Sequence, residues 1–172
     1  MVRELIELRT SIVEGRYGDA LEIVDDLTGM GKQGIIRNIE SYLLRLLIHL
    51  IKNQVEQRLT NSWAASIADS VRQIKKLNLK DNKTSYYIKQ DEWQPYLEEA
   101  FDAAIFDASA EVAEGAYNFQ ELTDVVNRQE ILAIAQNLLD LTYLYSAREL
   151  LANLPENLAN LPGGEEWLSK RK

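Results

Sequence analysis

The sequence predicts an all-α protein, and three observations support this fold class. Hydrophobic side chains recur every three to four positions along almost the whole chain, and the strict alternation typical of strands is nearly absent. Only three prolines occur among 172 residues. The composition, 46% hydrophobic and 27% charged, is that of a globular protein. We expect a compact bundle of six to seven helices, built as antiparallel hairpins around one long central helix, with a single domain at residues 1–154 and a partly flexible tail at 155–172.

Four helices are predicted in the first half of the chain. Gly15 and Gly29 mark the ends of the first two, since glycine commonly follows the last turn of a helix. The third carries the broadest apolar face, which is typical of a central helix covered by several neighbours. Thr60 offers a capping oxygen before the fourth. The expected ranges are residues 2–14, 19–27, 33–58 and 60–79.

The opening segment LRTSIVEGRYGDALEIVDDL also resembles one helical hairpin of a tetratricopeptide array. Such arrays need about three repeats to be stable, and only one copy is visible. The sequence therefore favours a lone helical hairpin within a bundle.

The second half predicts a loop followed by three helices. Polar residues at 80–90 indicate the loop. Asp91 with Gln94 three residues later resembles a capping box, so a fifth helix is expected to begin there and to end at Gly115. Two further helices are expected near residues 127–139 and 142–151. The remainder contains two prolines and two adjacent glycines, and we expect it to fray after Pro155.

Several classes of site and location are excluded or disfavoured by composition. Cysteine is absent, which excludes disulfides, thiolate metal sites and cysteine nucleophiles and favours a reducing compartment. The single histidine excludes two-histidine dyads and zinc pairs. The longest apolar stretch, Leu43 to Ile51, falls far short of the ~20 residues that cross a bilayer, and no signal peptide opens the sequence. We expect a cytoplasmic protein that does not enter the membrane.

The net charge of −8 is distributed unevenly. Residues 91–127 carry ten acidic groups and no lysine or arginine, whereas residues 52–89 carry eight basic and three acidic groups. We expect these two segments to face each other, within one chain or across a dimer. The acidic segment would repel nucleic acid. Nucleic-acid binding stays an alternative through the basic helix at 58–80, whose cations are Arg58, Arg72, Lys75, Lys76 and Lys80.

Acidic residues near the middle of the chain are the candidates for a metal site. The pattern E-E-x-x-D followed by E-x-x-D resembles the signature of the all-α nucleoside triphosphate pyrophosphatases, which implies magnesium ions held against a triphosphate. A solvated acidic face is the interpretation we favour. The residues concerned are Glu98, Glu99, Asp102, Glu121 and Asp124.

A second acidic group comprises Asp107, Glu111 and Glu114. Like charges at this spacing repel one another, so these side chains require a basic partner or a cation. Basic residues of the fourth helix are the expected partners: Arg72, Lys75 and Lys76.

Gly29, Gly31 and Gly34 form the pattern G-x-G-x-x-G, which binds dinucleotides when it follows a strand. Here it follows a helical segment, so a helix end and a tight turn are expected, and no cofactor. His49 lies beside the apolar stripe of the third helix, where we expect a hydrogen-bonded histidine at the edge of the core.

From about residue 25 to 122 the chain resembles a bacterial family known as domain of unknown function 29, abundant in cyanobacteria. The resemblance rests on the segments DLTGMGKQ, LLRLLIHLIK, NSWAASIADSVRQI and PYLEEAFDAAIFDASAE. It implies a compact helical fold in a bacterial cytoplasm and supplies no reaction. Residues 82–93 form an insertion relative to the family, and the Pro-Cys ending of many members is missing. The positions that match the family's motifs are Gly31, His49, Lys52, Ser62, Trp63, Ile67 and Arg72.

The function that the sequence favours is protein–protein contact or regulation without a cofactor. We expect a homo-oligomer, a dimer, formed through the apolar stripe of the third helix or through the C-terminal helices, and a further protein partner that the sequence does not identify. The alternative enzyme is a magnesium-dependent phosphoanhydride hydrolase that uses the acidic residues named above.

Overall fold

A computed structural model describes residues 2–80 and 84–170 and confirms the all-α class. The described residues form eight α-helices, a short 3-10 turn at Val112–Gly115 and one isolated antiparallel bridge between Leu79 and Tyr86. None of these helices has the length and apolar character that a membrane crossing requires. The helices are α1 (Val2–Val13), α2 (Tyr17–Glu56), α3 (Asn61–Asn78), α4 (Gln94–Ser109), α5 (Phe119–Val125), α6 (Arg128–Leu144), α7 (Ala147–Leu158) and α8 (Gly164–Lys170).

Helix α2 is continuous over 40 residues, so the predicted separate helices at 19–27 and 33–58 are wrong. The glycines at 29, 31 and 34 lie inside it with ordinary helical backbone, and nothing stands within 4 Å of a Cβ built on any of them. Each glycine costs a helix about 1 kcal/mol relative to alanine. That cost is not enough to break α2, and the predicted helix end and tight turn at the G-x-G-x-x-G pattern are therefore wrong as well.

Contacts divide the chain into two compact units, residues 1–38 and residues 39–172. In the smaller unit, α1 and the beginning of α2 are joined by a three-residue turn at Gly15, which has a φ of 74°. We call this helical pair, residues 2–38, the N-terminal hairpin. It matches the helical hairpin predicted from the opening segment. The predicted domain at 1–154 with a tail at 155–172 stays a prediction.

The larger unit encloses the final part of α2. The apolar stripe predicted to be central is buried here, with Ile39, Leu43, Leu46 and Leu47 fully inaccessible to solvent. Helix α3 packs against α6 and α7, and α4 packs against α5 and α6. Because its own chain covers this stripe, the stripe is not available for the self-association that the sequence suggested.

After Pro155 the chain completes α7, turns at residues 159–163 and forms α8 as far as Lys170. Helix α7 passes through Pro155 to Leu158 instead of ending near Leu151, and α8 follows. Two buried side chains, Asn53 and Trp167, anchor this region through hydrogen bonds. The Asn53 amide donates to the carbonyls of Arg58 (3.0 Å) and Pro162 (2.8 Å), and the Trp167 indole donates to Asn61 Oδ1 (2.9 Å). Gly163 is required because a Cβ there would stand 2.8 Å from the Cα of Arg58.

Other helix ends also differ from the predictions. Helix α4 begins at Gln94, and the predicted capping box at Asp91 does not form. Just before the helix, the carboxylate of Glu92 accepts from the Lys89 amide instead. Helix α5 was not predicted. The helix predicted near 127–139 extends to Leu144 as α6, and the helix predicted near 142–151 lies further along the chain as α7. Residues 84–90 are non-helical as predicted, whereas residues 81–83, including the start of the insertion at 82–93, lie outside the described residues.

Candidate functional site

An arginine lies between two of the candidate metal ligands, Glu98 and Asp102. Arg128, the first residue of α6, donates from Nε to the Glu98 carboxylate (3.1 Å) and from a terminal nitrogen to Asp102 Oδ1 (2.9 Å). A second terminal nitrogen also bonds the Glu98 carboxylate. The guanidinium stacks on Phe101, 4.6 Å from the ring centre. The two carboxylates one helical turn apart therefore share a cation that belongs to the chain itself.

The other three acidic candidates have different surroundings. Glu99 and Asp124 are exposed, and Glu121 forms a capping box with Asn118 at the start of α5. Within residues 2–80 and 84–170, no three acidic or histidine side chains are grouped closely enough to hold a metal ion. Magnesium at Glu98 and Asp102 would have to displace Arg128. The magnesium site stays a prediction, without a converging set of ligands to support it.

The second acidic group finds its partner on α2 and not on α3. Glu111 lies 3.8 Å from Lys52. Lys52 in turn lies 5.1 Å from the ring centre of Trp63, and Arg58 lies 4.8 Å from it. For Glu111 the partner is therefore Lys52 of α2, and no ion pair among the described residues joins this acidic group to the candidate partners Arg72, Lys75 and Lys76.

Trp63 is mainly a structural residue of the α2–α3 turn. Its side chain is buried, and its backbone amide donates to Thr60 Oγ1 (3.0 Å), which caps α3. Two cations, Lys52 and Arg58, lie over its ring. Such contacts are worth about 0.5–1 kcal/mol at exposed sites and more when desolvated. They stabilise the turn between the two helices.

His49 is hydrogen-bonded at the edge of the core, which confirms the prediction. Its Nδ1 donates to the carbonyl of Arg45 (2.8 Å). Half-burial lowers the pKa of His49, and the positive charges of Lys52 and Arg45 lower this pKa further, against the opposite effect of the Arg45 carbonyl. The imidazole is therefore held in its neutral form, in contact with the backbone of its own helix.

The five cations of the predicted basic helix do not form one surface. Helix α3 covers only Asn61–Asn78, so Arg58 and Lys80 lie outside it. Lys80 stands over the ring of Tyr87 (5.4 Å). Arg72 lies 3.9 Å from Asp69, which also pairs with Arg45 at 3.0 Å. Nucleic-acid binding through this helix stays a prediction.

The N-terminal hairpin carries an exposed apolar surface that the sequence analysis did not predict. Among its described side chains only Ser11 and Ala20 are buried. Eight large hydrophobic side chains of this hairpin are between 41% and 77% exposed. Helical spacing shows that a helix has an apolar face but does not show what covers it. The exposed residues are Val2, Leu5, Ile6, Ile12, Val13, Tyr17, Leu21 and Val24.

The charges along the first part of α2 are also segregated. Four acidic residues lie before Gly29, and two basic residues lie after Gly31. Leu21, Val24 and Thr28 are exposed and fall on one side of the helix at 100° per residue. Of the charged residues of this segment, Asp25 and Lys32 fall nearest to that side, whereas Asp19, Asp26 and Arg37 fall on the opposite side. The charged residues are Asp19, Glu22, Asp25, Asp26, Lys32 and Arg37.

Comparison with known proteins identifies one family. No curated protein and no solved structure shows significant similarity to the chain. The sequence profile of a family described as "Domain of unknown function DUF29" matches residues 16–140, which include the whole of α2 to α5 and the acidic segment. The chain therefore belongs to this family.

Proposed function

We propose that the protein is a non-enzymatic interaction module of the bacterial cytoplasm that self-associates through the N-terminal hairpin and needs no cofactor. The exposed apolar surface of residues 2–24 is the observation that supports this proposal most strongly. Contiguous apolar surface of this kind on a folded protein commonly marks an interaction site. The absence of cysteine supports a reducing, cytoplasmic setting.

The energetic gain is large enough for a stable dimer. Burying a large hydrophobic side chain is worth roughly 1.5–3 kcal/mol, and about half of that remains to be gained from a half-exposed one. Eight such side chains on each copy supply on the order of 16 kcal/mol for the pair. The lost freedom of two molecules costs about 4–15 kcal/mol. The balance is favourable provided that most of the surface is covered.

A second copy of the same chain, in antiparallel orientation, fits the charge pattern of α2. A twofold axis places the acidic end of one α2 opposite the basic end of the other, so that Asp25 of each copy approaches Lys32 of the other. A parallel arrangement would set acidic groups against each other. Closed twofold dimers are also the commonest oligomers.

The test is the oligomeric state of the full chain by sedimentation velocity. The wild-type protein at tens of micromolar is expected to sediment as a dimer. A variant with Leu21→Gln and Val24→Gln is expected to sediment as a monomer, because two exposed apolar anchors are lost without a change in charge. The matched control is Leu144→Gln, which changes an equally exposed leucine (70%) at the end of α6. A monomeric wild-type protein, or a control that dissociates as readily as the double variant, would overturn the proposal.

A further inference from the structure

Four positive side chains line one small cavity in the larger unit. The cavity lies between the end of α3 and the beginning of α7 and has a volume of about 320 Å³. Its apolar wall comes from Ala147, Leu150 and Leu151. A concentration of positive charge is unusual on a chain with a net charge of −8. The four cations are Arg72, Lys75, Lys76 and Arg148.

Lys75 is the most informative of the four. It is only 8% exposed, and its ammonium donates to one acceptor, the carbonyl of Thr142 (2.5 Å). An ammonium has three donors. No carboxylate of the described residues forms an ion pair with it, and burial lowers its pKa. The last turn of α6, to which Thr142 belongs, supplies a partial negative charge of only about half a unit. A buried cation here therefore lacks a full counter-charge.

The carboxylates nearest to the cavity are already engaged elsewhere. Asp69 lies 3.9 Å from Arg72, but its shorter ion pair is with Arg45 on α2. Glu149 accepts from the backbone amide of Ser146 in the capping box of α7. Lys76 and Arg148 are exposed and have no acidic partner among the described residues. The cavity keeps a net positive charge as a result.

The position of α7 adds to the same field. Ala147 and Arg148 are its first two residues, so the start of a 12-residue helix forms part of the cavity lining. Backbone amides at a helix start favour negatively charged ligands. The four cations are an independent feature, since three of them belong to α3 and do not depend on the start of α7.

We propose that this cavity binds the diphosphate group of a small phosphorylated ligand. The two phosphates supply the counter-charge that Lys75 lacks and bridge Arg72, Lys76 and Arg148. The apolar wall formed by Leu150 and Leu151 receives the non-phosphate part of the ligand. A singly charged anion could satisfy only one or two of the four cations, whereas a diphosphate carries about three charges near neutral pH. This site lies wholly in the larger unit and does not depend on self-association.

Inorganic pyrophosphate is the probe for the first experiment. It is titrated into the ¹⁵N-labelled full chain at constant ionic strength, adjusted with sodium chloride, and amide resonances are followed by NMR. Saturable shifts are expected at residues 72–76 and 147–151. A variant with Lys76→Gln and Arg148→Gln should bind at least tenfold more weakly, while Lys89→Gln, a control of an exposed lysine in the loop before α4, should bind as the wild type does.

Three results would overturn the proposal. Shifts that do not saturate, or that spread over basic residues throughout the chain, indicate charge screening and no site. Unchanged affinity in the double variant places the site elsewhere. Equal affinity for sulfate at the same ionic strength removes the diphosphate specificity. Because Lys76 and Arg148 are exposed, circular dichroism of the double variant is expected to match the wild type.

Discussion

Replacing the three glycines inside α2 by alanine should stabilise the N-terminal hairpin. Gly29, Gly31 and Gly34 have helical backbone, and no atom lies within 4 Å of a Cβ at any of them, so alanine fits without a clash. Each Gly→Ala change in an exposed helix interior is worth about 0.8–1 kcal/mol. The three together should raise the local opening free energy of residues 17–38 by about 2.5–3 kcal/mol.

Hydrogen exchange of the backbone amides measures this quantity directly. A gain of about 2.8 kcal/mol corresponds to roughly a hundredfold slower exchange, at 1.4 kcal/mol for each factor of ten. Gly15→Ala is the control with the opposite sign, because Gly15 has a φ of 74°, which alanine adopts at a cost of about 1 kcal/mol or more. If the triple variant exchanges faster than the wild type across residues 17–38, these glycines form a turn and α2 is not continuous.

Three further outcomes are expected from the larger unit. Tyr143→Phe should lower the free energy of unfolding, measured by urea denaturation, by about 2–4 kcal/mol. In the wild type the buried Trp93 indole donates to the Tyr143 hydroxyl (2.7 Å), and the variant removes this acceptor. A loss below about 0.5 kcal/mol would contradict this. Gly163→Ala should lower the melting temperature by several degrees, since the new Cβ would stand 2.8 Å from the backbone of Arg58 and the φ of 70° disfavours alanine; an unchanged melting temperature would show that the contact is not tight. The only histidine, His49, should titrate in a proton NMR experiment with a pKa below 6.5, because burial favours the neutral ring. The unfolded chain then binds the proton more readily than the folded one, so the free energy of unfolding should fall as the pH drops through and below 6.5. His49→Gln should make this fall smaller. A titration midpoint of His49 above 6.5 would predict the opposite pH dependence.

The sequence was sufficient for the fold class and for most helices, because the apolar period of three to four residues is a local property. It also placed His49 correctly at the edge of the core. It failed where local signals compete. The glycines of α2 have intrinsic helix-breaking tendencies that the surrounding helix overrides. Helix α5, seven residues long, is too short to show a period, although its capping box of Asn118 and Glu121 is visible in the sequence.

The charged contacts depended on tertiary structure and were therefore harder to predict. Arg128 follows the acidic segment 91–127 by one residue and returns to Glu98 and Asp102 only because α6 packs against α4. Likewise, Lys52 reaches Glu111 across the fold. Charge counts along a chain indicate that counter-charges are needed, but they do not identify which residues supply them. The exposed hairpin surface was missed for a similar reason, since an apolar face on a helix gives the same sequence pattern whether it packs in the core or is exposed to solvent.

Single-cysteine crosslinking tests antiparallel self-association most directly, because the chain contains no cysteine of its own. In an antiparallel pair centred between the acidic and basic ends of α2, Thr28 of the two copies lies near the twofold axis. Tyr17 lies 11 residues away, which at 1.5 Å per residue sets the two copies of Tyr17 about 33 Å apart. A disulfide requires Cα atoms within about 7 Å. We expect Thr28→Cys to form a covalent dimer under mild oxidation and Tyr17→Cys to remain uncrosslinked; equal crosslinking of both variants, or of neither, would contradict antiparallel pairing through α2.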